Sequence, residues 1–400
     1  MRTRSRWTLA AATTGVVVAG AVVVPGVASA DPDLPPTTAQ ELLEDVASAQ
    51  PLPFSGTVVH TSDLGLPELP QQTGSAGSDL TGLLTGSTTL RVWSDGEQRQ
   101  RLSVLGDFAE TSVVRDGSDV WVWRSDDRTA VHAELPSAQQ LEAARGSAAE
   151  GADASPEAWG PAGGATPAEA AQRALAALDP STEVSLDGTG TVAGRDAYEL
   201  VLAPRSTTSL VGRVRLAVDA ATSYPLRVQV LARRASSPAL ETAFTDISYA
   251  APDDDVFAFT PPEGAEVSEA PSPGAALARR PTGGHGGTPG GGGGPSAEGS
   301  SGSDPAADRA RPTVVGDGWD AVAVLRGAAG GLTDPTGSPA GGAGQALLDA
   351  AQPVSGAYGT GRVLATALVS VLALDDGRVL VGAVPPSVLE QAALDPAAAP

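Results

Sequence analysis

The sequence predicts an α+β fold, a large antiparallel sheet with a few helices on one face, followed by a small second block. Three observations predict it. Alternating apolar runs are joined through Asp-Gly pairs at 95–96, 116–117 and 376–377, the strongest short hairpin signal a sequence offers. Thr38 to Glu41 and Thr166 to Glu169 have the capping-box form that opens a helix. A tract rich in Gly, Pro and Ser, residues 268–311, divides the chain and carries almost nothing apolar, so it has no means of offsetting its ordering entropy.

Composition narrows the functional classes. The chain has 400 residues, a formal charge of −22 and no cysteine, and all 25 of its basic residues are arginine. Absence of cysteine excludes disulfide scaffolds, thiolate metal sites, thiol catalysis and lipid attached to cysteine. His60, His132 and His285 are the only imidazoles and are too far apart to form a local metal motif. No cofactor and no metal is expected. The acidity opposes nucleic acid, which is bound by clustered cations.

Residues 1–30 read as a secretory signal. Arg2, Arg4 and Arg6 precede an apolar stretch from Leu9 to Val24, Pro25 breaks it, and Ala28-Ser29-Ala30 has the small-x-small form of a cleavage site. Cleavage after Ala30 releases an extracytoplasmic chain. The alternative is retention of residues 7–28 as a membrane anchor, for which the stretch is just long enough.

The first block runs from 37 to 267. Leu42, Leu43 and Val46 give its opening helix one apolar side. Strands follow at 54–63, 87–94, 97–105, 109–115, 118–124 and 129–135, a meander of consecutive antiparallel neighbours. A short helix is expected at 137–145. A second helix starts at Pro167, a residue well suited to the first helical position, and runs to Leu178. A second set of strands closes the block, its last member being 255–262. Helices and sheet in this order fit helices packed on one face.

The second block, 312–393, has a strand at 318–327 and a short helix at 345–351. Residues 362–374 are apolar on both alternating faces and read as one fully covered strand, which Asp376-Gly377 turns into 378–384. Ser387 to Glu390 is a third capping-box sequence and opens a terminal helix. An exposed strand edge in this block could accept a strand from a partner.

The candidate binding residues lie in the first meander. Trp121 and Trp123, two apart in Val-Trp-Val-Trp, project from one face of a strand, with Val120 and Val122 on the other. A strand apolar on both faces needs cover on both. One reading makes a ligand the cover, with Leu90, Trp93, Leu102 and Val113 on neighbouring strands completing an apolar wall. The other makes the tryptophans ordinary core beneath the helices at 38–48 and 167–178. No catalytic constellation stands beside them. The loop from Gly188 to Gly194 leads into a strand, not a phosphate-binding helix, no G-x-S-x-G elbow occurs, and Asp253 to Asp255 lack a glycine-turned cation loop. The chain is not expected to be an enzyme.

These segments resemble a known group. The opening helix before FSGTVV, then VVRDGSDVWVW, VAGRDAYELVLAP, VRLAVDAATSYPLRVQV and the closing FTDISYAAPDDDVFAFTPP are similar to the LolA-like family of lipid and lipoprotein carriers. GDGWDAVAVLRG and GAYGTGRVLATALVSVLALDDGRVLVGAVPPSVLEQAA resemble the small C-terminal domain of the RseB/MucB family. The resemblance implies an open antiparallel half-barrel with helices over its concave face, and a small C-terminal α/β domain after a disordered linker. It also implies a lipid, or the acyl chain of a lipoprotein, as ligand, and the extracytoplasmic segment of a membrane anti-sigma factor as protein partner. A LolA-like carrier is the alternative. Two departures from the carrier pattern stand out: a long segment from Leu64 to Gly86, and Trp93-Ser94-Asp95 where LolA carriers place the arginine that latches the lid.

Overall fold

The computed structural model describes residues 32–66, 85–105, 110–135, 166–176, 178–270, 313–326, 350–395 and 398. The expected signal segment, the helix expected at 137–145, the Gly/Pro/Ser tract from 271 onward, and all but the end of the helix expected at 345–351 lie outside the described residues.

The first meander comprises β1 (Phe54–Asp63), β2 (Thr85–Ser94), β3 (Arg99–Leu105), β4 (Glu110–Asp116), β5 (Asp119–Arg124) and β6 (Thr129–Glu134). The second comprises β7 (Thr182–Val192), β8 (Arg195–Pro204), β9 (Val211–Asp219), β10 (Pro225–Ala232) and β11 (Leu240–Ser248). β11 pairs antiparallel with β1, so the two meanders fuse into one open sheet, and β12 (Glu266–Glu269) is added in parallel at the β6 edge. The second meander curls, bringing β7 near β11 although three strands separate them in the ladder.

The turns show why the sequence folds this way. Gly117, at φ +62°, forms a two-residue connection with Ser118 between the paired Asp116 and Asp119. The Asp95-Gly96 connection is longer. The Asp95 carboxylate accepts from the amides of Glu97, Gln98 and Arg99 at 2.8–3.1 Å and from the Arg99 guanidinium at 2.8 Å. Burial would raise its pKa, but these donors together lower it to about 2. Gly96, at φ +84°, lies so close to the backbone of Leu52 and Pro53 that a Cβ there would come within 2.8 Å.

Two helices cover the curled half. In α1 (Ala39–Ser48) the Thr38 hydroxyl accepts from the Glu41 amide at 3.2 Å, while the Glu41 carboxylate accepts from the Thr38 amide at 2.9 Å. α2 (Pro167–Ala176) is capped in the same way by Thr166 and Glu169. Leu42 and Ala171 pack on Leu200, Leu202, Val214, Leu216, Val218 and Val228 of the sheet. A second apolar cluster joins Phe54, Val58, Leu90, Val92 and Leu102 to Leu226 and Phe244.

The second block is a six-stranded antiparallel sheet in the order β13 (Thr313–Val315), β14 (Val322–Arg326), β18 (Arg378–Gly382), β17 (Ser370–Leu374), β16 (Gly359–Ala365) and β15 (Gln352–Gly356), with α3 (Pro386–Ala392) against β17 and β18. The core includes Val324, Leu372, Leu380 and Leu389.

Four local expectations change. Residues 362–374 are not one strand: β16 and β17 are separated by a turn at 366–369, whose residues read as strand because Ala367, Leu368 and Val369 are apolar and packed against the first sheet. The strand expected at 318–327 begins at Val322, because Gly318–Asp320 forms a 3-10 turn. Ser387 lies inside α3 and caps nothing, since the helix starts directly after Pro385. Residues 255–262 form no strand. They begin in a 3-10 turn at Asp254–Val256, and Pro261 and Pro262 have no amide to give a ladder.

Candidate ligand-binding face

Side chains directly opposed in an antiparallel ladder share a face, and neighbours along a strand alternate. Leu90 opposes Val58 and Val104, Leu102 opposes Val113, Val113 opposes Val122, and Val122 opposes Val131. Leu90, Leu102 and Val113 therefore lie on the face that carries α1 and α2. Trp93 opposes Arg101, Arg101 opposes Val114, Val114 opposes Trp121, and Trp121 opposes His132. The three tryptophans occupy the other face. The six residues expected to form one wall are thus divided three and three, because each trio has its own parity within the ladder.

The tryptophan face is covered by the chain itself. Residues 250–265 run across it as a strap. Arg99 donates to Asp254 at 2.7 Å, and Arg101 donates to the Val256 carbonyl at 3.2 Å. Phe257 is buried beneath the Arg99 guanidinium, 5.0 Å from it. The Phe259 ring lies 5.5 Å from Trp121 and 6.4 Å from Trp123. Trp93 has Arg91 at 5.4 Å and Arg101 at 6.0 Å from its ring, a cation–π setting and not an apolar wall.

The strap ends as β12, held at β6 by a histidine. His132 stacks on Trp121 with centroids 4.4 Å apart, its Nε2 meets Asp119 at 2.9 Å and its Nδ1 meets Glu269 at 2.9 Å. Asp119 raises the His132 pKa above 6.5 and Glu269 adds to this, while burial opposes both.

The helix-bearing face differs between the two halves of the sheet. Leu90, Val92 and Leu102 are buried. Further along, Val113, Val120, Val122, Val131 and Ala133 are only half-buried, and α1 and α2 contact β7, β10 and β11 instead. Arg115 and Arg124 stand on this same face, opposite Val120 and Thr111. The result is an apolar floor with cations at its rim, a surface suited to an amphipathic ligand with an aliphatic part and an anionic group. Val120, Val122, Val131 and Ala133 were missing from the sequence-level site. Their signal was the valine half of Val-Trp-Val-Trp. Among the described residues no group of three or more His, Asp or Glu could hold a metal ion.

No protein-family model matches this chain, and no curated protein matches it. Solved structures do. The Pseudomonas aeruginosa MucA/MucB complex contains a chain 20% identical to this one, with a TM-score of 0.40. The match covers 89% of this chain and 97% of that chain. This chain is similar to MucB, of the RseB family. A LolA-superfamily protein from Nitrosomonas europaea is 11% identical over 56% of this chain and 99% of its own, with a TM-score of 0.22. An uncharacterised conserved protein from Thermus thermophilus is 14% identical over 58% of this chain and 99% of its own, with a TM-score of 0.32. These are likenesses of fold.

Proposed function

We propose that this chain is an exported, non-enzymatic binding protein that takes the acyl chain of a lipid or lipoprotein on the open face of β3–β6. We further propose that it regulates a membrane anti-sigma factor by binding that protein's extracytoplasmic segment. The observation that carries the ligand reading is the run Leu102, Val113, Val122, Val131, which passes from buried to half-buried with arginines at its rim. An aliphatic chain laid there removes apolar surface from water, at about 25 cal/mol per Å², and its head group meets Arg115, since Arg124 is ion-paired with Asp127 at 3.4 Å.

The partner reading draws on the resemblance to the RseB/MucB family and on the second sheet, which a simple carrier has no need of. β15 is an exposed edge strand and offers unpaired backbone groups to an extended peptide. Solved structures of MucB include complexes with MucA, and the same class of partner is proposed for this chain.

Titration of the chain from Asp31 with cis-parinaric acid, a fluorescent polyene fatty acid, tests the ligand. Saturable binding that palmitate displaces is expected. Absence of any saturable signal would remove the ligand. For the partner, the purified extracytoplasmic segment of an anti-sigma factor encoded beside this chain should bind the full chain and lose affinity when Ser355→Pro removes an amide from the free side of the β15 edge, where Pro353 already has none. Failure to bind the full chain would leave the carrier alternative.

A further inference from the structure

Among the described residues the second sheet meets the first at three places. Trp319 Nε1 donates to Thr182 Oγ1 at 2.8 Å, and the Ser206 hydroxyl donates to Asp320. The Ala383 carbonyl accepts from the Leu210 amide at 2.7 Å and from the Ser209 hydroxyl at 3.2 Å. The third contact is the β16–β17 turn. Its Ala367 amide donates to the Leu64 carbonyl at 2.9 Å, and its Leu368, 3% exposed, is buried in the cluster that holds Leu42 of α1, Ala171 of α2 and Leu200, Leu216 and Val228 of the sheet.

The first two contacts are tied by polar groups, and their Trp319 and Ala383 rest, partly buried, against the same apolar cluster. The third inserts an aliphatic side chain into the helix-covered half. The turn that presents it is internally satisfied. The Thr366 hydroxyl donates to the Val369 carbonyl at 2.8 Å and accepts from the Leu368 and Val369 amides at 3.3 and 3.0 Å, and the Thr366 amide donates to Val369 at 2.9 Å. Withdrawing the turn breaks one backbone hydrogen bond to the first sheet, at Leu64, and empties a site lined by leucine, valine and alanine. A packed core does not hold a leucine and a second aliphatic group in the same volume.

We propose that the Thr366–Val369 turn is a plug, and that Leu368 takes the place into which an aliphatic ligand extends from the open face. The ladder supports the continuity. Val58 on β1 opposes Leu90 on β2 and Phe244 on β11, so one face joins the open valines to the covered half. Ligand uptake and seating of the second sheet are then mutually exclusive, and the coupling is reciprocal: whatever loosens the seat tightens ligand binding by the same factor. The proposal rests on the acyl-ligand reading above.

The chain has no cysteine, so Leu64→Cys with Ala367→Cys places a single disulfide across the hydrogen bond that ties the turn down. Titrated with cis-parinaric acid, the oxidised protein should bind at least tenfold more weakly than the same protein after reduction. Two variants test the plug without a cross-link. Leu368→Ala should bind several-fold more tightly than the unsubstituted chain. Gly318→Val should do the same, because a side chain there meets Ser181 and Asp179 across the sheet-to-sheet contact. Saturating ligand should also speed hydrogen exchange at the amides of 367–369. Equal affinity in the oxidised and reduced forms, with no gain in Leu368→Ala or Gly318→Val, would overturn the plug and leave the ligand reading standing. No binding by any form would overturn both.

Discussion

The two halves of the first sheet are built from the same kind of strand and treated in opposite ways. In the curled half, β7–β11, the helix-bearing face is closed by α1, α2 and a turn from the second sheet, and Leu200, Leu202 and Leu216 are fully buried. In the other half, β3–β6, the chain spends its cover on the opposite face, where the strap brings Phe259 against Trp121 and Trp123 and Phe257 against Arg99, and the valine face stays half-open. Apolar strand residues alone therefore do not separate core from binding surface. What separates them is which face the chain covers with its own later segments.

The largest contrast should appear in stability. Leu216→Ala in the covered half is expected to cost about 2–5 kcal/mol in urea unfolding, whereas Val122→Ala on the open face should cost about 1 kcal/mol or less. Similar losses at the two positions would mean that the valine face is as enclosed as the helix-covered core.

Trp121→Ala should lower stability by about 3 kcal/mol and leave acyl-probe affinity unchanged, since its neighbours are His132 and Phe259. Lost affinity with stability intact would return the tryptophans to the ligand wall.

The division of the expected wall shows where a sequence stops being informative. Val-Trp-Val-Trp announced a strand apolar on both faces, and the Asp-Gly turns announced its hairpins. Which residues of β2, β3 and β4 share each face depends on register, and the longer Asp95 turn and the unpaired partners of a meander leave register open in the sequence. In the sequence the strap reads as a strand because Val256, Phe257 and Phe259 are apolar and β-favouring. Their burial against the outer face, with prolines after them, makes them a cover instead. The plug was hidden for a similar reason, since Ala367, Leu368 and Val369 continue the apolar pattern of the strands on either side. Only Thr366, whose hydroxyl closes the turn, marked the break.

A smaller effect should appear with pH. His132 has a raised pKa in the folded chain, so its clamp on β12 is complete below 6.5 and is lost as pH rises through the elevated folded value. The stability difference between the unsubstituted chain and His132→Gln should shrink from about pH 6 to about pH 9. A constant difference would make the imidazole a packing group and not a clamp.

The central claim, that the open valine face is the ligand site, is tested most directly by comparing cis-parinaric acid affinity in Val122→Asp and in Val267→Asp. Val122 faces the open floor, whereas Val267 lies on the strap's terminal strand and is 50% exposed. With both proteins folded, the account predicts at least tenfold weaker binding for Val122→Asp and unchanged binding for Val267→Asp. Unchanged affinity in Val122→Asp would contradict it.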